Sequence, residues 1–193
     1  NYHRALKLKP EFAEVHANLG NALLAQEKPE EAVASFERAL ELKPNYAEAF
    51  YNLGNARQAQ DKLHEAAACY ERALELKPQL PEAHYNLGNT LQALDELGGA
   101  AACYERALAL RPEYAEAHYN LGCVLQAMGR VREALERYGR AVALKPDYGQ
   151  ALFGQALGQL LAGDFRTGWR NYESRWKSSD HNTPLRPYAQ PLW

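Results

Sequence analysis

Cysteine is scarce in this chain, methionine scarcer, and neither sign of charge dominates: 193 residues carry three Cys, one Met, and 22 Lys plus Arg against 24 Asp plus Glu. Each shortage excludes something. Cys69, Cys103 and Cys123 form no C-x-x-C pair, so there is no zinc or redox motif. They stand where small apolar residues would serve and read as packing thiols; a reducing, cytoplasmic setting suits them. A formal net charge of −2 does not describe a nucleic-acid-binding arm. No apolar stretch approaches the roughly 20 residues that cross a bilayer. Also missing are a nucleophile motif, a Walker loop, a dinucleotide loop and an H-E-x-x-H pair; "HEAA" at 64–67 lacks its second His. The many acids fall on solvated faces. The residues show no catalytic constellation, so the expectation is a non-enzyme without cofactor or metal.

What the chain does have is a period. Asn18, Asn52, Asn86 and Asn120 are spaced by 34 residues, as are Pro10, Pro44, Pro78, Pro112 and Pro146, and Phe36, Tyr70, Tyr104, Tyr138 and Tyr172. A fixed interval of that length signals a repeat array, to which one-core domain counting does not apply. Each unit reads as two amphipathic helices. "AEAFYNLGNARQAQ" (47–60) puts Phe50, Leu53 and Gly54 on one face, and "LHEAAACYERALEL" (63–76) puts Ala66, Tyr70, Ala73 and Leu74 on another. Glu14, Glu48, Glu82 and Glu116 open first helices, where the helix dipole favours a negative group. Lys43, Lys77, Arg111 and Lys145 close second helices, each before a helix-stopping Pro.

The expected pairs are 13–42, 47–76, 81–110 and 115–144, with an altered fifth pair at 149–177. Gly20, Gly54, Gly88 and Gly122 lie mid-helix, where Gly costs about 1 kcal/mol relative to Ala. The cost makes sense if another helix presses there, and Ala32, Ala66, Ala100 and Ala134 are the expected opposing surface. No unit can bury its own apolar faces, so the units must stack. The implied fold is all-α: a right-handed superhelical solenoid of stacked antiparallel helix pairs, its concave wall lined by the first helix of each pair.

The register "NLGN…A…Y/F.RAL.L.P", in four copies without insertion, closely resembles the tetratricopeptide repeat. It is most similar to the repeats of O-linked N-acetylglucosamine transferases, in which an asparagine ladder lines the superhelix; Asn18, Asn52, Asn86 and Asn120 match that ladder. One departure lies in the turn inside each pair, where the family carries Gly and this chain has Glu27, Asp61 and Asp95, with Gly only at 129. Looser turns are expected there. Residues 1–10 resemble the second helix of a truncated repeat, 11–146 four full repeats, 147–177 a divergent capping repeat, and 178–193 a Pro-rich extended tail. Gly168, Trp169, Tyr172, Glu173, Arg175, Trp176, Pro191, Leu192 and Trp193 resemble the end of bacterial repeat arrays that lead into a glycosyltransferase-like domain. That resemblance implies a bacterial parent enzyme whose catalytic domain is absent here, with this chain recruiting its substrate. Trp169 and Trp176 fall on one stripe and are expected to cap the array by packing.

The recurring surface residues supply a function of their own. Beside the ladder Asn stand Tyr51, Tyr85 and Tyr119, then Asn21, Asn55 and Asn89, then Gln58, Gln92 and Gln126. An Asn offers one acceptor and two donors, and a peptide bond offers one of each. A row of amides can therefore hold an extended backbone whatever its side chains, and Tyr adds contact area at small entropic cost. Three readings of the Asn row stay open: a peptide-binding ladder, cross-bracing between helices, and a copied residue that drift has not removed. A carboxylate clamp is disfavoured, because Glu48, Glu82 and Glu116 lie close by. His16, His84 and His118 share one helix position with Phe50, which argues for packing over metal ligation. The expected partners are protein or peptide segments, neither nucleic acid nor membrane. End-to-end self-assembly through an apolar edge at Tyr2, Ala5, Leu6 and Leu8 is the remaining alternative.

Overall fold

The structure, a computed structural model, describes residues 12–172. Among them are α1 (Ala13–Leu24), α2 (Pro29–Leu42), α3 (Ala47–Ala59), α4 (Leu63–Leu76), α5 (Pro81–Ala93), α6 (Leu97–Leu110), α7 (Ala115–Ala127), α8 (Val131–Leu144), α9 (Gly149–Leu161) and α10 (Phe165–Tyr172). The first four pairs begin and end where the periodicity places them. The expected truncated helix at 1–10, the end of the fifth pair, and the tail with Trp176 and Trp193 lie outside the described residues. The chain divides into two compact units, Asn1–Pro112 and Glu113–Trp193. The first holds α1–α6 and the second α7–α10. Within each unit, the helices of a pair pack together, and each second helix packs on the first helix that follows it. The architecture is an all-α stack of paired helices.

An aromatic ring centres each of the four regular pairs. Phe36, Tyr70, Tyr104 and Tyr138 are buried, and each lies over the mid-helix Gly of its own pair. A Cβ added to Gly20 would stand 2.6 Å from the Phe36 ring, and one on Gly54 2.6 Å from the Tyr70 ring. This corrects the expected partner. Ala32, Ala66, Ala100 and Ala134 are fully buried, but the ring occupies the space the glycine leaves. The reason is size: two small residues facing each other would leave a void, which close-packed interiors avoid.

The turns are also corrected. Glu27, Asp61 and Asp95 adopt φ of 58°, 59° and 62°, the left-handed conformation that Gly129 and Gly163 adopt at 77° and 85°. All five turns close with the same hydrogen bond, the N–H after the left-handed residue donating to a carbonyl five residues back: Lys28 to Leu23 (3.0 Å), Lys62 to Arg57 (3.0 Å), Glu96 to Leu91 (2.8 Å), Arg130 to Leu125 (2.8 Å) and Asp164 to Gln159 (2.9 Å). These are Schellman closures. The turns without Gly are as tight as those with it; the side chain is accommodated at a cost of about 1–2 kcal/mol each.

The charged residues at opposite ends of each pair meet. Lys43 and Arg111 sit at C-caps, just past the last turn, as do Lys77 and Lys145. Lys43 donates to Glu14 at 2.9 Å; Lys145 and Glu116 lie 3.6 Å apart, Lys77 and Glu48 3.9 Å, and Arg111 bonds Glu82. Arg57 has no counterpart in the other pairs, which carry Leu23, Leu91, Leu125 and Gln159 there. Its side chain, 17 % exposed, pairs with Glu37 at 2.6 Å and Glu65 at 3.2 Å, joining α2, α3 and α4.

The last pair departs from expectation. Trp169 is 58 % exposed and meets Tyr172 edge-on, with ring centroids 5.5 Å apart. It does not cap the array by packing. The buried side of α10 is set by Gly168, where an added Cβ would meet Leu160 at 2.7 Å, and the next residue along a helix points about 100° away from that side.

Candidate functional site

In the first unit, the ladder positions come together between α3 and α5. Asn86 Nδ2 donates to Asn55 Oδ1 at 2.9 Å and to the Tyr51 hydroxyl at 3.2 Å. Tyr70, reaching through from α4, places its hydroxyl 2.8 Å from both Asn55 Oδ1 and Gln58 Oε1, and its ring centroid 6.0 Å from that of Tyr51. The next pair repeats the arrangement: the Tyr104 hydroxyl lies 2.7 Å from Asn89 Oδ1 and 2.9 Å from Gln92 Oε1, and its ring 5.9 Å from Tyr85. In the second unit, the Tyr138 hydroxyl lies 3.2 Å from Gln126 Oε1 and the Tyr119 ring sits 6.0 Å from Tyr138. Asn120 is half-buried on α7.

The rungs are not equivalent. Asn18 and Asn21 are exposed on α1, Asn52 is half-buried on α3, and none of these three makes a side-chain hydrogen bond among the described residues. Asn86 has committed both amide protons to α3, so its carbonyl oxygen is what remains for a ligand. Asn55 is the reverse: its oxygen accepts from Tyr70 and Asn86, and its NH2 group remains. One neighbouring pair of side chains therefore keeps a donor group and an acceptor, the complement of a peptide bond's C=O and N–H. Cross-bracing is present at this rung together with that residual capacity.

The hydroxyls that hold the amides were missed as site residues, since their 34-residue period reads as core alone. The signal is in the register. Phe36 accompanies Leu24, whereas Tyr70, Tyr104 and Tyr138 accompany Gln58, Gln92 and Gln126. Where the first helix offers an amide, the second supplies a phenol. Burial raises the Tyr70 phenol above its ordinary range, with Tyr51 adding to the effect. Tyr138 and Tyr119 are raised by burial first and then by Cys123. All three stay protonated near neutrality.

The remaining polar groups form no second centre. His84 Nε2 lies 3.0 Å from the Pro78 carbonyl oxygen, and burial lowers its pKa. Among the described residues, no group of three or more His, Cys, Asp or Glu comes together as a metal site. The three cysteines are free and half-buried; burial pushes the Cys103 thiol up to about 11 and raises that of Cys69, which keeps both out of the reactive thiolate form. No helix among the described residues is long and apolar enough to cross a membrane.

Stacked helix pairs joined by Schellman turns, with an aromatic ring in each mid-helix glycine gap, define a helical-repeat scaffold. The tetratricopeptide-repeat model described as "TPR repeat" matches residues 20–61, 59–95 and 93–129, and a second tetratricopeptide-repeat model matches 115–148. The chain belongs to the tetratricopeptide-repeat family, a class of protein–protein interaction modules. Among solved structures, it is similar to YrrB, a TPR protein with an unusual peptide-binding site, with TM-score 0.82, 23 % identity, and coverage of 94 % of this chain and 93 % of that one. It is similar to MamA from Desulfovibrio magneticus RS-1, with TM-score 0.80, 22 % identity, and coverage of 88 % and 97 %. Pseudomonas aeruginosa PilF follows with TM-score 0.77, 21 % identity, and coverage of 88 % and 78 %. No curated protein gives a significant sequence match. At these identities the likeness is one of fold.

Proposed function

We propose that this chain binds extended peptide segments of partner proteins along the face of its first helices, with amide side chains reading the ligand's backbone. One observation carries the reading: among the described residues, the cluster of Tyr51, Asn55, Tyr70 and Asn86 leaves an uncommitted NH2 group beside an uncommitted carbonyl oxygen. Such a pair can accept from and donate to one stretch of main chain regardless of its side chains. Asn52 adds a rung that makes no side-chain hydrogen bond among the described residues, Asn89 and Gln92 stand beside the Tyr104 hydroxyl in the next cluster of the first unit, and Asn120, Gln126 and Tyr119 hold the matching repeat positions in the second, where Cys123 replaces the second Asn. That YrrB is described as having a peptide-binding site supports the reading. Each rung contributes about 1 kcal/mol net, so affinity is shared among several.

The test is selection of binders from a displayed random-peptide library, followed by titration of the best sequences. Changing Asn52, Asn86 and Asn120 together to Ala should weaken binding by about 100-fold, corresponding to roughly 3 kcal/mol over three rungs. N-methylation of alternate ligand amides should weaken it similarly, while far-ultraviolet circular dichroism stays unchanged. Equal affinity for wild-type and triple variant would remove the ladder. The glycosyltransferase alternative rests on Gly168, Trp169 and Tyr172 together with residues 173–193, and end-to-end assembly on residues 1–9; residues 173–193 and 1–9 lie outside the described structure, and no comparison bears on either reading.

A further inference from the structure

The amide rungs stop in the fifth repeat, and what replaces them is a depression. Position 154 continues the ladder from Asn120 but is Gly, and Leu157 stands where Asn21, Asn55, Asn89 and Cys123 stand in the other repeats. Between α7 and α9, wholly within the second unit, both residues line a cavity of about 360 Å³. Tyr138 lines it, and a Cβ at Gly154 would come within 2.9 Å of that ring. Phe153, Leu157 and Leu161 line it with apolar side chains, and Gln126 and Gln150 add two amides to the lining. Phe153 is steadied by Tyr172, their ring centroids 5.4 Å apart.

We infer that this depression is a side-chain subsite, taking one large uncharged apolar residue, Leu, Met or Phe in class, of a peptide held on the first-helix face. The inference rests on the proposed peptide-binding function and adds sequence selectivity to it. Three features select the occupant. None of the ten lining residues is charged, so a Lys, Arg, Asp or Glu side chain would be desolvated there without a partner. The volume is at the small end of the roughly 300–1,000 Å³ typical of ligand pockets, enough for one bulky side chain and too small for a folded element. The Gln126 NH2 group and the Gln150 amide in the same lining suit the peptide bonds flanking such a residue. Within the second unit, the amide register of the fourth repeat thus gives way to side-chain reading at the fifth.

The experiment uses probes that need no ladder. N-acetyl amides of Phe, Leu and Lys are titrated into the 193-residue chain, followed by backbone amide resonances in two-dimensional NMR. The Phe and Leu probes should shift Phe153, Gly154, Leu157 and Leu161 and bind about tenfold more tightly than the Lys probe, the discrimination an apolar pocket gives over a few methylenes. Leu157→Asn, which restores an amide at the repeat position, should abolish that preference; Leu161→Ser, at an exposed site, should weaken it with no risk to the core. Equal binding of the Lys probe overturns the proposal. So does a lack of shifts at these residues, whether the depression is closed or filled by another segment. Retained preference in both variants also overturns it. If the Phe and Leu probes bind as stated but library peptides bind the Asn triple variant as well as wild type, the subsite stands and the ladder fails.

Discussion

Gly54→Ala should destabilise the chain even though alanine is the better helix former. The new Cβ would lie 2.6 Å from Tyr70 Cε1 and 2.7 Å from Cδ1, against a comfortable carbon–carbon separation of about 3.5–4.0 Å. The ring must retreat by about 1 Å in a site with no free volume, at an overpacking cost of about 1–3 kcal/mol. Its hydroxyl, 2.8 Å from Asn55 Oδ1 and from Gln58 Oε1, moves with it. The hydroxyl has one proton to share between those two oxygens, so one hydrogen bond is lost, at about 1 kcal/mol. Helix propensity returns about 1 kcal/mol. The net expected loss is about 1–3 kcal/mol. Urea unfolding followed by circular dichroism measures it as a lower midpoint at unchanged slope. Gly139→Ala, in α8, is the control: its nearest neighbour would be Gln155 Nε2 at 3.6 Å, an ordinary contact, so it should stabilise by about 0.5–1 kcal/mol. In a Tyr70→Leu background, the Gly54→Ala penalty should fall below about 1 kcal/mol, because the ring that collides is gone. A Gly54→Ala chain as stable as wild type, or a penalty unaltered by Tyr70→Leu, would refute the ring-in-gap reasoning.

Replacing the left-handed residues Glu27, Asp61 and Asp95 by Gly should raise stability by about 1 kcal/mol each, since the Schellman bonds stay and the Cβ clash goes; no rise in the triple variant's unfolding midpoint would show that the side chains carry no strain. Stability should also fall at both ends of the pH scale. The Lys43 hydrogen bond holds the Glu14 carboxyl below its ordinary range; at Glu82 burial pushes upward, but the Arg111 bond and a backbone bond outweigh it. Depressed folded pKa values make this contribution present above about pH 4.5 and lost as pH drops through the folded values. The raised phenols of Tyr70, Tyr119 and Tyr138 act the other way, their contribution complete below about pH 10 and lost as pH climbs through the folded values. Urea midpoints across pH check the acid limb. On the alkaline limb, these three phenols should ionise only as the chain unfolds; full phenolate absorbance in the folded state would contradict their burial.

Much of the fold was legible because a repeat states its rule several times. The 34-residue interval, the mid-helix glycines and the closing prolines locate four helix pairs, and no single unit could have done so alone. The candidate site was legible by position, since Asn, Tyr and Gln recur on one helical stripe. Which hydrogen-bonding groups stay available was not. That depends on Asn86 spending both protons on a neighbouring helix and on Tyr70 reaching through from behind.

Sequence by itself determined the period, the helices and the residue types on each face, because these follow from local propensity and from apolar residues returning to the same side every turn. Tertiary structure alone decided that rings rather than alanines fill the glycine gaps, that Asp and Glu turn as tightly as Gly, that Trp169 faces outward, and that Gly154, where a rung is missing, lines a cavity. Those outcomes depend on volumes and hydrogen-bond partners contributed by residues on other helices. Such pairings are set by shape and valence across a packed interface, which no periodicity along one chain encodes.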